Sequence, residues 1–108
     1  VSDWVDVGGS HQVPESGGFE VVIQGQIVAI FRHQGVLFAL EGMCAHQGGP
    51  LARGSVGEGC VTCPWHGWRY RLDSGCNAIT GQPMLSTWEI REVDQRVYLR
   101  DHSQTQAG

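Results

Sequence analysis

The sequence predicts an all-β antiparallel domain with two long loops projecting from it, and three observations lead there. Short runs of β-branched and aromatic residues recur between Gly-containing turns. No stretch of useful length repeats its apolar residues at helical period. Finally, the alternation stops in the middle of the chain, where residues 41–83 are rich in Gly, Pro, Cys and His instead.

Taken in order, residues 4–7 read as a first strand ended by Gly8-Gly9, and 10–18 as a loop without periodicity. Residues 19–23 form a β-branched strand. Gln24-Gly25 turns it into a strand over 26–31, and residues 32–35 turn the chain again into 36–40. Tight turns between short strands indicate an antiparallel meander. A brief strand at 60–62 and another at 69–72 lie within the middle region, with a turn at 73–75 and a loop at 77–83. Residues 86–93 and 96–100, joined by Asp94-Gln95, make a terminal hairpin, and 102–108 is a polar tail expected to fray. With no repeat and no linker, residues 1–108 are expected to form one domain.

Composition narrows the function. A chain of 108 residues has room for one modest core, and its 16 glycines demand many turns. No apolar run reaches the roughly 18 residues of a membrane span, and the first residues lack a basic-then-apolar leader, so a soluble, cytoplasmic protein without membrane association is expected. The formal charge of −4 disfavours nucleic acid, which calls for a basic face. It suits either plain solubility or transient docking on a basic patch of a partner. All seven basic residues are Arg, for which the sequence offers no functional reason.

The chemistry concentrates in 44–66. Cys44-Ala45-His46 and Cys63-Pro64-Trp65-His66 each supply one thiolate and one imidazole, sixteen residues apart. Within each pair the spacing is too short for a helix face, so two tight loops holding one metal centre between them is the natural reading. A [2Fe–2S] cluster with two Cys on one iron and two His on the other has this composition. Tetrahedral zinc also accepts two Cys and two His, but usually from Cys-Cys and His-His pairs at other spacings. Neutral imidazoles in place of two thiolates remove negative charge from one iron, which raises such centres to roughly −150 to +300 mV. The cluster sulfides need backbone N–H donors at close approach, and Gly48, Gly49 and Gly67 stand where side chains would prevent it. Pro50 and Pro64 stiffen the same loops.

The pattern C-x-H…C-x-x-H, sharpened by CAHQGGPL and CPWHGW, resembles the Rieske iron–sulfur family, with high specificity over residues 44–68 and in general pattern over 4–100. The resemblance implies a Rieske-type antiparallel β sandwich or barrel with a small cluster-binding subdomain, about 41–83 here. It implies one [2Fe–2S] cluster per chain, with Cys44 and Cys63 on the inner iron and His46 and His66 on the outer, solvent-facing one. Gln47, Gly48, Gly49, Trp65, Gly67, Trp68, Tyr70 and Pro83 would surround it, Pro83 within a third covering loop. The outer imidazoles can ionise, so a pH-dependent potential is implied as well.

Two departures from the membrane cytochrome-complex members stand out. Their extra cysteine pair falls at Gly49 and Trp65, so that disulfide is absent, and their sulfide-bonding serine is Trp68 here. Tyr70 matches a tyrosine whose hydroxyl bonds a ligand sulfur in the high-potential members. One donor lost and one kept implies a low-to-middle potential. The sequence is more similar to the soluble ferredoxins of ring-hydroxylating oxygenases. That implies a monomeric one-electron carrier, not a catalyst, between a flavin-dependent ferredoxin reductase and a terminal oxygenase acting on an aromatic compound. Two alternatives stay open: a small subunit of an assimilatory nitrite reductase, and a structural zinc or metal-free interaction module. Complete strands at both ends favour a free-standing carrier over a fragment of a longer oxygenase.

The other candidate residues have plainer expectations. Cys60 and Cys76 are read as small buried thiols, and His11, His33 and His102 as surface residues. Trp65 and Trp68 shield the cluster or form a docking surface, whereas Trp4 and Trp88 belong to the core or a sheet face. Glu41 and Glu58 either steer a basic partner or are simply solvated.

Overall fold

A computed structural model describes residues 4–43, 49–65 and 67–101. Nine strands are present among them: β1 (Val5–Gly9), β2 (Gly18–Ile23), β3 (Gln26–His33), β4 (Val36–Glu41), β5 (Ser55–Gly57), β6 (Cys60–Thr62), β7 (Arg69–Arg71), β8 (Thr87–Val93) and β9 (Arg96–Asp101). They form two antiparallel sheets. Six strands in the order β1-β9-β8-β4-β3-β2 curl into a nearly closed barrel, and β5-β6-β7 form a separate three-stranded sheet. The all-β expectation with a small appended unit is what the chain adopts.

The hairpins follow from their turns. Gln24-Gly25, Gln34-Gly35, Glu58-Gly59 and Asp94-Gln95 all have positive φ at both positions. That is the requirement of the tight turns whose twist matches paired strands. The strand β3 is buried on both faces, which explains its unbroken Ile27-Val28-Ala29-Ile30-Phe31 run. Val28 and Ile30 join the barrel core with Ile23, Trp88, Val97 and Leu99. Ala29 and Phe31 face the other way, into a second core with Leu40, Leu51, Val61, Cys63, Tyr70, Leu72 and Leu85. This second core joins the small sheet to the barrel.

Several boundaries differ from expectation, each for a local reason. The first strand begins at Val5 and runs through the glycines to Gly9, because β9 pairs with it there across an irregularity between Asp6 and Gly8. The third strand continues to His33, since Arg32 and His33 pair with Leu37 and Val36. The strand Ser55–Gly57 is held by β6 rather than by its own composition. Short 3-10 turns occur at Ser10–Gln12 and Leu51–Arg53.

His33 is half-buried rather than on the surface, and its Nε2 accepts the Gly59 N–H at 3.3 Å, tying the barrel to the small sheet. Trp4 lies on a sheet face with the Arg91 and Arg100 guanidinium groups 4.5 and 4.7 Å from its ring centre. Trp88 is in the barrel core. Cys60 is buried but Cys76 only partly so. The expected fraying of 102–108 lies outside the described residues.

Candidate metal centre

Of the four predicted ligands, Cys63 is described, whereas Cys44, His46 and His66 lie outside the described residues, as do Gln47 and Gly48. The geometry around Cys63 and at the ends of the first loop defines the site.

Cys63 follows β6 directly and is 3% exposed. Its N–H donates to the Trp68 carbonyl at 2.7 Å, and its carbonyl accepts the Gly67 N–H at 3.2 Å, closing residues 63–68 into a tight loop. Gly67 has φ +74°, a left-handed conformation that a side chain resists, at the position where this loop turns back into β7. The Trp65 N–H lies 3.4 Å from Cys63 Sγ, a donor aimed at the sulfur. A backbone donor placed there suits a metal-bound sulfur.

The first loop is closed at its base by an antiparallel bridge between Met43 and Pro50, reinforced by the Leu51 N–H on the Gly42 carbonyl at 3.0 Å. Gly49 then packs against the second loop. A Cβ placed on Gly49 would lie 2.8 Å from Cys63 Sγ and 3.1 Å from the Trp65 ring, closer than atoms tolerate. The two Cys/His loops therefore meet at the Cys63 sulfur, and Gly49 allows it. A buried thiol with a backbone donor, faced by a backbone without a side chain, fits a cluster held between the loops.

The surrounding residues divide by depth. Tyr70 is fully buried in the core that contains Cys63. Trp68 is partly buried against that core. Trp65, by contrast, is half exposed and forms surface. The third loop is pinned at its ends by isolated bridges, Cys76 to Pro83 and Tyr70 to Asn77. Pro83 is exposed. Cys60, Cys63 and Cys76 are all free thiols.

Sequence reasoning passed over the residues that brace this third loop. Asn77 Oδ1 accepts the N–H groups of Ile79 and Thr80 at 2.8 and 3.1 Å, and Thr80 Oγ1 accepts the Gln82 N–H at 3.2 Å. Asparagine three residues before a Thr-Gly pair is a recognisable signal for such a turn. Glu41 also proves structural, its Oε1 accepting the Ser86 N–H at 2.5 Å. Glu58 is mostly solvated and pairs with Arg69 at 3.4 Å.

Comparison with known proteins gives the family and the fold. The Rieske [2Fe–2S] domain family matches residues 3–89. A Rhodococcus rhodochrous protein, assigned as the oxygenase component of a 3-ketosteroid-9-alpha-monooxygenase, is 36% identical over 92% of this chain. The chain spans 24% of that relative's length. Among solved structures, the ferredoxin of carbazole 1,9a-dioxygenase from Nocardioides aromaticivorans shares the fold at TM-score 0.82 and 19% identity, over 92% of this chain and 98% of the other. A Mycobacterium tuberculosis protein, assigned as the small subunit of an NADH-dependent nitrite reductase, has TM-score 0.82 and 21% identity, over 89% and 92%.

Proposed function

The chain belongs to the Rieske [2Fe–2S] domain family, and on that premise we propose that Cys44, His46, Cys63 and His66 hold one Rieske cluster per chain. When bound, the cluster supplies a one-electron reducible centre, and the domain is an electron carrier. The observation that carries the site is the contact of Gly49 with Cys63 Sγ, which brings the two Cys/His loops together at one sulfur. Each chain residue then has a definable task. Cys63 gives a thiolate steadied by the Trp65 N–H, the loop closed by Trp68 and Gly67 limits movement of the ligands, and the aromatic residues keep water from the inner side.

Our reading of its place is a monomeric, cytoplasmic shuttle between a flavin-dependent ferredoxin reductase and a terminal oxygenase for an aromatic compound, not catalytic by itself. The likeness to a dioxygenase ferredoxin matched over nearly its whole length supports it. Residues 41–83 would act as the cluster-binding subdomain within a single domain. The nitrite reductase likeness, equal in TM-score, supports a second reading in which the domain is a permanent subunit. The oxygenase relative, of which this chain spans a quarter, supports a third, as the electron-entry module of a longer oxygenase.

The test is absorption and EPR spectroscopy of anaerobically purified protein before and after dithionite, with iron and acid-labile sulfide assayed. The expected result is a red-brown protein with equal iron and sulfide, whose reduced form gives a rhombic signal of lower average g than an all-Cys cluster. A colourless protein that holds zinc, or takes no iron on reconstitution, overturns the reading. Rapid, salt-sensitive reduction by a flavin reductase would support the shuttle, and stable co-purification with a sirohaem protein the subunit.

A further inference from the structure

Beside the second cluster loop lies a groove of about 380 Å³ that electron carriage leaves without a role. Gly67, Trp68 and Arg69 form one side, and Asn77, Ile79 and Thr80 the other. Its apolar walls are held in place. Trp68 is packed partly into the core around Cys63. Ile79 is 88% exposed, yet the loop presenting it is firmly braced. Besides the Asn77 and Thr80 side-chain bonds, the Asn77 N–H donates to the Gln82 carbonyl at 2.9 Å and the Gly81 N–H to the Asn77 carbonyl at 2.8 Å. The Ala78 N–H donates to the Arg69 carbonyl at 2.9 Å, fixing the two sides of the groove to each other. An aliphatic side chain carried on a braced backbone is a partly preorganised contact.

Among the described residues, the polar side chains on the groove offer hydrogen-bond donors. Asn77 uses its Oδ1 within the loop and keeps its amide hydrogens, while Thr80 accepts from Gln82 and keeps its hydroxyl hydrogen. Arg69 is 40% exposed, and its carboxylate partner Glu58, at 3.4 Å, is 86% exposed, so water and other anions compete freely for that guanidinium. One partly compensated cation, without a nest of backbone N–H groups, matches a single carboxylate better than a phosphate. Trp68 and Ile79 both line the groove, and an indole and an aliphatic side chain there suit a flat ring.

From these features we infer that the groove binds a small aromatic carboxylate, with its ring against Trp68 and Ile79 and its carboxylate on Arg69. Such a ligand would sit at the edge of the second Cys/His loop, where it would hinder an approaching electron partner. That consequence, unlike the binding itself, rests on the carrier reading.

Calorimetric titration of the cluster-loaded protein with 1-naphthoate tests it. We expect saturable one-to-one binding that Arg69→Gln and Ile79→Ser each weaken about tenfold or more. The uncharged 1-naphthalenemethanol should bind about tenfold more weakly than naphthoate. Glu58→Gln, at a largely solvated position, should leave the fold intact and tighten binding by freeing Arg69. The absorption spectrum and thermal transition of each variant report its folding. No saturable heat up to about 5 mM, where even a millimolar site would be mostly filled, overturns the inference. So does binding that none of the three substitutions alters. Iron and sulfide assays on the same samples keep the two readings apart. Metal-free protein that binds naphthoate retains the groove and sinks the carrier, and cluster-loaded protein that ignores naphthoate does the reverse.

Discussion

At the scale of single residues, the site turns on the space that Gly49 leaves free. Its neighbours are a sulfur and an indole, and neither can yield without disturbing the second loop: Cys63 is buried in the core, and Trp65 donates its N–H to that same sulfur. Gly49→Ala is therefore expected to push the loops apart and cut iron and sulfide content by more than half, while the barrel stays folded. Gly67 offers a contrast, since among the described residues a Cβ there meets nothing within 4 Å, and its φ of +74° is what resists one. Gly67→Ala should cost about 1–2 kcal/mol of loop strain and lose less cluster than Gly49→Ala. Metal analysis of the two variants side by side checks the difference, and equal loss would mean that the close approach at Gly49 is not decisive. The Cys/His spacing and flanking glycines are legible in the chain because they are local in sequence. Which glycine touches which sulfur is not, because that contact joins positions fourteen residues apart through tertiary packing.

Among the elements, the hairpin turns carry much of the register. Three of the four tight turns place Gly second, but the β8–β9 turn uses Asp94-Gln95, with φ of 51° and 65°. Gln95 thus bears a side chain in the left-handed region, whereas its backbone carbonyl, which accepts the Ser10 N–H at 2.8 Å, needs none. Gln95→Gly should relieve that strain, less the entropy Gly adds to the unfolded chain, for a net gain of up to about 1 kcal/mol. A rise in melting temperature would show it, and a fall would mean that the Gln95 side chain contributes more than its strain costs. The pairing of β1 with β9 depends instead on Asp6. Arg96 donates to both its carboxylate oxygens at 2.9 and 3.2 Å, and the Gly8 N–H adds a third bond at 3.0 Å where the pairing is irregular. These partners, Arg96 first, hold the Asp6 carboxyl below its ordinary value of 3.8. A depressed carboxyl stabilises the fold above that ordinary value, and the contribution is lost as pH falls through the folded one. Asp6→Asn should accordingly lower the melting temperature modestly at neutral pH, with the gap to the parent closing below the depressed value. A gap independent of pH would assign the loss to packing. The long alternating and β-branched runs of β2, β3, β4, β8 and β9 could be read directly. Ser55–Gly57 could not, because three residues with a central valine carry no period and become a strand only through β6.

For the whole molecule, the two cores predict how it responds to loss of metal. Among the described residues, the barrel core draws its buried members from the large sheet and Val13 and includes no proposed ligand. The second core takes Ala29, Phe31 and Leu40 from the barrel but Leu51, Val61, Cys63, Tyr70, Leu72 and Leu85 from the region between the strands of the large sheet. Its sheet is short, three strands of three residues each. Strands that short supply little cooperative stability, so metal ligation would provide much of what orders them. Reduction and chelation should then open the molecule unevenly. Amides of β6 and β7 are expected to exchange with solvent at least about tenfold faster, whereas those of β3, β8 and β9 keep their protection. His33 marks the seam, because its Nε2 holds the Gly59 N–H across the two parts, and that amide should exchange with the small sheet. Residue-resolved hydrogen exchange on loaded and stripped protein measures this directly. Uniform loss of protection through both sheets would mean that the shared strand β3, buried on both faces, binds the two cores into one cooperative unit.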